Sequence, residues 1–475
     1  MEGMEKYTPE REEAAEDFEA GRERRIAELE EMLSQRRLKQ LQEELEDTDE
    51  FEVAEFLTAL PQHQMAKVFR MLSKEKGAEV FAELEAPEQE YIINSITDAE
   101  LGDIIEEMYV DDAVDLMEEL PANVVKRVMR TATPETRTLI NQYLKYPENS
   151  AGSIMTAEFI DLKKYMSVRE SFARIRRIGA DKETIYTCFV TSADRKLEGI
   201  VTVKDLIMAD EDEAIENIMD EAVVFASTTD DQEEVSGIFA DYDLIAIPVV
   251  DREHRLVGIV TVDDVVDVMI EETTEDMELM AGITPSEKTY LRSNALELFR
   301  HRIPWLMLLM VSATFTGMII NSFESALAAQ VALTAFIPML MDTGGNSGSQ
   351  SSVTVIRALS LGEVEFADLP KVIWKEIQTA VMCGVTLSVL CFCKIMLIDR
   401  LLLGNEDITV LTAAVVCSTM AVTVLIAKVI GCTLPMCAKK LGFDPAVMAS
   451  PFITTIVDAL SLLVYFGIAT VLLFG

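Results

Sequence analysis

The chain has 475 residues, a formal net charge of −41 and 49% hydrophobic residues. That is enough for several domains, and the acidity excludes a phosphate-gripping nucleic-acid binder. From His301 onward 11 acidic residues face 9 basic ones, so −39 of the charge lies in the first 300 residues. An acidic half, whose field concentrates cations, is joined to a nearly neutral apolar half.

Six of the seven cysteines (Cys383, Cys391, Cys393, Cys417, Cys432 and Cys437) fall in the apolar half, as small fillers rather than a disulfide framework. The three histidines make no zinc signature. The N-terminus lacks an apolar core of the signal-peptide type, so the acidic half is expected in the cytoplasm.

Residues 7 to about 50 read as a charge-rich helical stretch, with Ile26, Leu29, Met32 and Leu33 at helical spacing. A repeat follows: Val53 to Pro61 resembles Ala113 to Pro121, sixty residues on, and each precedes an amphipathic run. Stacked helical hairpins are the economical reading, with each proline in the first turn of a helix.

Two β/α units begin after Tyr146, from Ile154 to Leu206 and from Ile218 to Val265, and their endings align at an offset of fifty-nine. Each carries Gly-hydrophobic-x-Thr-x-x-Asp, at Gly199, Thr202 and Asp205 and at Gly258, Thr261 and Asp264. This pattern resembles a tandem cystathionine-β-synthase (CBS) domain pair. The resemblance implies that Asp205 holds ribose hydroxyls while Thr202 and the helix start face phosphate. An acidic helix follows, with Val265, Val268 and Met269 as its apolar stripe, placed to couple the CBS pair to the membrane.

Five apolar spans are expected, near 303–323, 328–341, 376–397, 409–432 and 448–474. Arg300, Arg302, Arg357, Lys371, Lys375, Lys439 and Lys440 then share the cytoplasmic side, which puts the C-terminus outside. An odd span count favours a symmetric dimer, with a pore on its twofold axis, over an inverted repeat. At the end of span two stands Pro338-Met-Leu-Met-Asp-Thr-Gly-Gly-Asn-Ser-Gly-Ser-Gln350. Its glycines are expected to break the helix, freeing carbonyls beside Asn346 and Gln350 for an ion's water shell. The last span carries one charge, Asp458, which must face water, a cation or a partner.

Taken with Gly442-Phe-Asp-Pro-Ala446 and Thr454-Thr-Ile-Val-Asp458, the whole chain resembles a magnesium transporter of the MgtE family. The resemblance implies a multi-domain protein: an acidic α-helical superhelical N-domain over 1–145, an α/β tandem CBS pair over 146–262, a connecting or plug helix over 263–295, and a five-span α-helical pore domain over 296–475. It implies a Mg²⁺-selective homodimeric channel of the cell membrane, not an enzyme, whose pore is lined by Asp458, Thr454, Ser450, Gly344, Gly345, Asn346 and Gly348. Two copies of Asp458 would hold a largely hydrated Mg²⁺. Cytosolic Mg²⁺ would close the pore by bridging Asp111, Asp115, Asp231, Glu233, Asp243, Asp264, Asp267, Glu272, Glu275, Asp276 and Asp444. ATP is implied at Thr202 and Asp205. Asp342 and Ser450 depart from the family's usual residues, which bears on Mg²⁺ against Mn²⁺, Co²⁺ or Ca²⁺. A non-conducting CBS membrane sensor, a CBS-gated chloride channel and a membrane enzyme are the competing classes. Asp458 and the glycine motif count against the sensor, acidity against the anion channel, and the lack of a nucleophile–base constellation against the enzyme.

Overall fold

The computed structural model describes residues 9–286, 290–291, 293–324, 330–405, 407–448 and 450–474; the side chains of 9–19, 181, 450, 473 and 474 are outside that description. It divides into two compact units, Met1–Val268 and Met269–Gly475.

The first unit opens with α1 (Pro9–Ser34) and nine short helices: α2 (Leu38–Asp47), α3 (Glu50–Ala59), α4 (Gln62–Phe69), α5 (Lys74–Ala82), α6 (Ala86–Ser95), α7 (Asp98–Glu107), α8 (Val110–Glu119), α9 (Ala122–Thr131) and α10 (Pro134–Tyr143). The residues preceding α2 to α10 are Arg37, Asp49, Pro61, Ser73, Glu85, Thr97, Tyr109, Pro121 and Thr133, one every 12 residues. The sixty-residue likeness in the sequence is therefore five turns of a finer, one-helix step. Asp49, Ser73, Thr97 and Thr133 accept hydrogen bonds from the first free N–H groups of their helices. Pro61 and Pro121 stand at the cap itself, one place before the expected first turn, where no donor is needed and φ near −60° is set by the ring. Alternate helices stack, α3 on α5 on α7 on α9 and α4 on α6, which builds a short superhelix. Each helix buries residues at helical spacing, such as Val53, Phe56 and Leu57 or Leu101, Ile104 and Ile105.

Two three-stranded sheets follow. The first orders β1 (Asp161–Leu162), β2 (Thr187–Thr191) and β3 (Leu197–Thr202), with α11 (Val168–Ile178) between its first two strands and α12 (Val203–Met208) after it. The second orders β4 (Ala226–Ser227), β5 (Ala246–Val250) and β6 (Leu256–Thr261), with α13 (Gln232–Tyr242) and then α14 (Val262–Met280). In each, a parallel pair precedes an antiparallel one, and both hairpins carry an irregularity at equivalent places, Val190/Thr191 and Val249/Val250. The leading segments are exchanged, which the sequence did not suggest. Thr156 bridges to Ile259 of the second sheet, and Asp220 bridges to Ile200 of the first. Gly199 and Gly258 make room for these crossings: a Cβ on Gly258 would lie 2.8 Å from the Thr156 carbonyl oxygen.

The second unit contains α15 (Ala295–Ser322), α16 (Ile337–Ser360), α17 (Leu369–Lys394), α18 (Val410–Lys440) and α19 (Ser450–Ala469). Among the described residues, four helical stretches are long and apolar enough to cross a membrane: Ala295–Ser322, Phe366–Leu402, Val410–Lys440 and Ala446–Leu472. The expected second span is displaced. Residues 328 and 329 are outside the described residues, Val331–Phe336 is a 3₁₀ turn, and the helix proper is α16, 24 residues long but amphipathic. α18 is central, packing on α16, α17 and α19, while α19 also meets α16 and α15.

Candidate ion-handling sites

The expected helix break at Gly344–Gly345–Asn346 does not occur: α16 runs unbroken through it. The glycines serve helix approach instead. A Cβ on Gly345 would collide with the Thr454 side chain, one on Gly348 would lie 2.6 Å from Ile453 Cγ2, and one on Gly344 would lie 3.0 Å from Val457 Cγ1. Gly431 of α18 meets the Gly348 backbone just as closely. Because the backbones nest, the helical hydrogen bonds stay intact and no carbonyl is freed.

These contacts fix α16 and α19 as antiparallel and turn one polar row of α16 outward. Asp342, Asn346 and Gln350, spaced at i, i+4 and i+8, are all exposed on the single chain. Asn346 Nδ2 donates to Asp342 Oδ1 at 3.1 Å. On α19, Asp458 is half-buried, and its Oδ1 is enclosed without a hydrogen-bond partner among the described residues. Thr454 lies one turn away against Gly345; Ser450 is the first residue of α19, and its side chain lies outside the described residues. The structure thus gathers Asp458, Thr454, Gly344, Gly345, Gly348 and Asn346 along one helix pair.

In the first unit a second set of acids converges. Asp111 and Asp112 on α8 meet Asp263 and Asp264 at the start of α14, with Glu158 and Glu183 of the CBS region beside them. Asp111 is 9% exposed, and its Oδ1 has no partner among the described residues. Burial, then the neighbouring charges, raises its carboxyl well above the usual range. Burial likewise lifts Asp112 to about 6, Glu183 to about 7 and Asp264 to about 6. The Asp264 shift is opposed by a 2.6 Å hydrogen bond from Thr261 Oγ1. Asp115 sits on the same helix, exposed to water, and Asp267 lies within electrostatic reach of Glu83. Sequence reasoning named Asp111, Asp115, Asp264 and Asp267 but missed Asp112, Glu158, Glu183 and Asp263. Only the Asp-Asp doublets at 111–112 and 263–264 offered a signal.

Asp243 is not brought to Asp231 and Glu233. Asp231 caps the start of α13 by accepting from the Glu233 N–H, and Asp243 ends the same helix at φ 51°. An 11-residue helix separates its ends by roughly 16 Å. In the second unit, Glu272, Glu275 and Asp276 of α14 do meet Asp444, which precedes α19. Burial and these like charges raise the Glu275 and Asp276 carboxyls, while Ser360 Oγ, 3.3 Å from Asp276 Oδ2, opposes the rise. Among the described residues no three Asp, Glu, His or Cys side chains gather closely enough to ligate a metal directly. The acids form negative surfaces suited to a hydrated cation.

The CBS motif residues turn out to be helix caps. Asp205 Oδ2 accepts from the N–H and hydroxyl of Thr202, and Thr202 Oγ1 accepts from the Asp205 N–H. Beside them opens a cavity of about 450 Å³ lined by Tyr186, Thr187, Thr202, Lys204, Ile207 and Ile245 among others. Thr202 lines it and Asp205 does not. Lys204 and Tyr186, which the sequence reading passed over, supply a cation and an aromatic face.

A multi-helix membrane unit with an intramembrane carboxylate, joined to a CBS module and an acidic superhelix, defines a membrane cation transporter. Residues 337–468 match a family model described as a divalent cation transporter, 48–149 the MgtE intracellular N domain, and 151–212 and 215–271 CBS domains. The chain belongs to the MgtE family of magnesium transporters, proteins that carry ions rather than catalyse reactions. It is 36% identical to the magnesium transporter MgtE of Thermus thermophilus over 77% of this chain and 80% of that one. Against MgtE of Bacillus subtilis the identity is 33%, over 80% and 82%. The crystal structure of the soluble part of a magnesium transporter matches 53% of this chain and 99% of its own length at 30% identity, with a TM-score of 0.51.

Proposed function

We propose that the chain conducts Mg²⁺ passively across the cell membrane as a homodimer, with its N-terminal domains in the cytoplasm and its C-terminus outside. The observation that carries this reading is the enclosed, unpartnered carboxylate oxygen of Asp458 on a membrane helix. A carboxylate at that depth costs about 2.5–3.5 kcal/mol on insertion scales unless water or a cation meets it. Mg²⁺ gives up water reluctantly and takes one or two carboxylates, so two Asp458 side chains across a twofold axis suit a hydrated ion. Dimerisation is supported by the exposed row Asp342, Asn346 and Gln350, which hydrocarbon cannot satisfy and a shared aqueous path can. Mg²⁺ as the ion is supported by the relatives, which are named magnesium transporters.

Gating follows from the two groups of mutually repelling acids, around Asp111 and Asp264 and around Asp276 and Asp444. Cytosolic Mg²⁺ settling among them relieves the repulsion and favours the closed arrangement; its loss loosens the assembly. Several weak bridges together shift such an equilibrium by a few kcal/mol. An adenine nucleotide fits the Tyr186–Lys204 cavity, with its base against Tyr186 and its phosphates toward Lys204 and Thr202.

Asp458→Ala in proteoliposomes tests the ion path. Mg²⁺ influx is expected to vanish while the dimer still assembles on gel filtration; influx at the unmutated rate would sink the assignment.

A further inference from the structure

Behind its polar row, α16 carries a second polar position that the conduction mechanism does not use. Ser351 is 2% exposed and points between α17 and α18. Its hydroxyl donates to Glu376 Oε2 of α17. Lys428 Nζ of α18 donates to the same hydroxyl at 3.4 Å and stands 3.8 Å from Glu376 Oε2. Lys428 is 5% exposed, and the Glu376 side chain is 15% exposed. Lys428 lies twelve residues before the end of α18, roughly 18 Å along the helix, and its ammonium turns inward onto Ser351 and Glu376 rather than along the helix toward its end.

Adhesion alone does not explain such a pair, because well-packed apolar residues hold helices together as well or better. Its electrostatic consequence is more specific. α18 touches α16 at Gly431 and Gly348, one turn from Lys428, so the ammonium stands about one helix diameter, roughly 10 Å, from Gln350 at the near end of the Asp342–Asn346–Gln350 row. An uncompensated ammonium there would oppose a divalent cation, and an uncompensated carboxylate would trap one. We propose that Glu376 and Lys428, bridged by Ser351, are a neutralised pair that sets the potential of the ion path, so that cation affinity depends on the balance of the pair rather than on either residue. This inference rests on the reading that α16 and α19 line the path.

The test is Mg²⁺ influx into proteoliposomes of the full-length protein, followed with an enclosed Mg²⁺ dye over a range of external Mg²⁺. Glu376→Gln leaves Lys428 unpaired and raises the half-saturating Mg²⁺ on the order of tenfold, as a unit charge roughly 10 Å from a divalent ion passing Gln350 does in partly aqueous surroundings. Lys428→Met lowers it by a similar factor and slows maximal influx, since a tightly held ion leaves slowly. The double variant returns to within about twofold of the unmutated protein. A packing role would not move the two single variants in opposite directions. Shifts in the same direction, or none, overturn the proposal. Should a single variant fail to assemble, the reversed pair Glu376→Lys/Lys428→Glu and the double-neutral variant decide the matter, because both keep the balance. A change of more than about fivefold in both overturns the proposal. Persistent influx in Asp458→Ala would refute the path itself, whereas a failure confined to the pair leaves the path standing.

Discussion

Asp342 of α16 and Asp458 of α19 stand at one level of an antiparallel helix pair. Gly348 meets Ile453 and Gly344 meets Val457, so stepping back four residues on α16 corresponds to stepping forward four on α19. The charge of Asp342 accordingly reaches Asp458. Asp342 is exposed and steadied by Asn346, whereas Asp458 is half-buried with one oxygen unpartnered. In the proposed dimer, four carboxylates would stand at one depth.

Removing Asp342 should therefore weaken ion retention without abolishing it. Asp342→Asn keeps its hydrogen-bonding capacity toward Asn346 and removes one charge from a solvent-exposed position, where a charge is worth about 1 kcal/mol or less. The half-saturating Mg²⁺ is expected to rise about threefold to fivefold, with maximal influx largely kept. An influx curve superimposable on that of the unmutated protein would show that Asp342 does not share the site.

The glycines of α16 and α18 predict a sharp contrast in tolerance. A methyl group at Gly345 strikes Thr454, and one at Gly431 strikes the Gly348 backbone, which cannot rotate away. Overpacking of this kind costs about 1–3 kcal/mol, at the upper end where backbone is struck. Gly431→Ala should lower the melting temperature of the detergent-solubilised protein and reduce flux, Gly345→Ala less so. Gly317→Ala and Gly467→Ala, whose Cβ positions meet nothing within 4 Å, should behave as the unmutated protein. Equal melting temperatures across the four would contradict the close helix approach.

How far this was legible in the sequence depended on whether a signal was local. Asp458 stood out because one charge in a long apolar stretch needs no partner to be noticed. The CBS hairpins were legible because β2–β3 and β5–β6 repeat at a fixed offset. The 12-residue step of the superhelix was hidden, since its cap positions hold Arg, Asp, Pro, Ser, Glu, Thr and Tyr, chemically unlike residues filling one geometric role. Glycines in α16 looked like a break because helix propensity is local, whereas the contacts that hold the helix together come from Thr454 and Gly431, far away in sequence. Glu183 beside Asp112, and Glu376 beside Lys428, are likewise products of tertiary packing.

Protonation of the acids around Asp111 should imitate cation binding. Asp112, Glu183 and Asp264 rise to about 6, 7 and 6, so between about pH 4 and 7 the folded chain binds more protons than the unfolded one. Stability of this region therefore falls as pH rises through that window, and the loss is complete above it. Each unit of upward displacement is worth about 1.4 kcal/mol, less for Glu183, which retains more contact with water. In Mg²⁺-free buffer, the first 268 residues of the full-length protein should resist trypsin better at pH 5.5 than at pH 8. Mg²⁺ should restore the protection at pH 8, and Asp111→Asn should narrow the pH difference. Protection that increases with pH would reverse the sign of this argument.

The cavity beside α12 separates two roles that the CBS motif had merged. Asp205 spends its Oδ2 on the Thr202 N–H and hydroxyl and does not line the cavity, so it holds the helix start in place. Lys204 and Tyr186 are the residues able to meet a phosphate and an adenine ring. Lys204→Ala should weaken ATP binding to the full-length protein by about tenfold in isothermal titration, the loss of one charge-assisted contact at about 1.5 kcal/mol. AMP binding should suffer less, because fewer phosphates reach the ammonium. Asp205→Asn removes the cap's charged acceptor, at a cost of about 1 kcal/mol in the stability of the CBS region. Its nucleotide affinity should fall only as far as that loosening dictates. If Asp205→Asn abolished binding while Lys204→Ala left it intact, Asp205 would be a direct ligand after all.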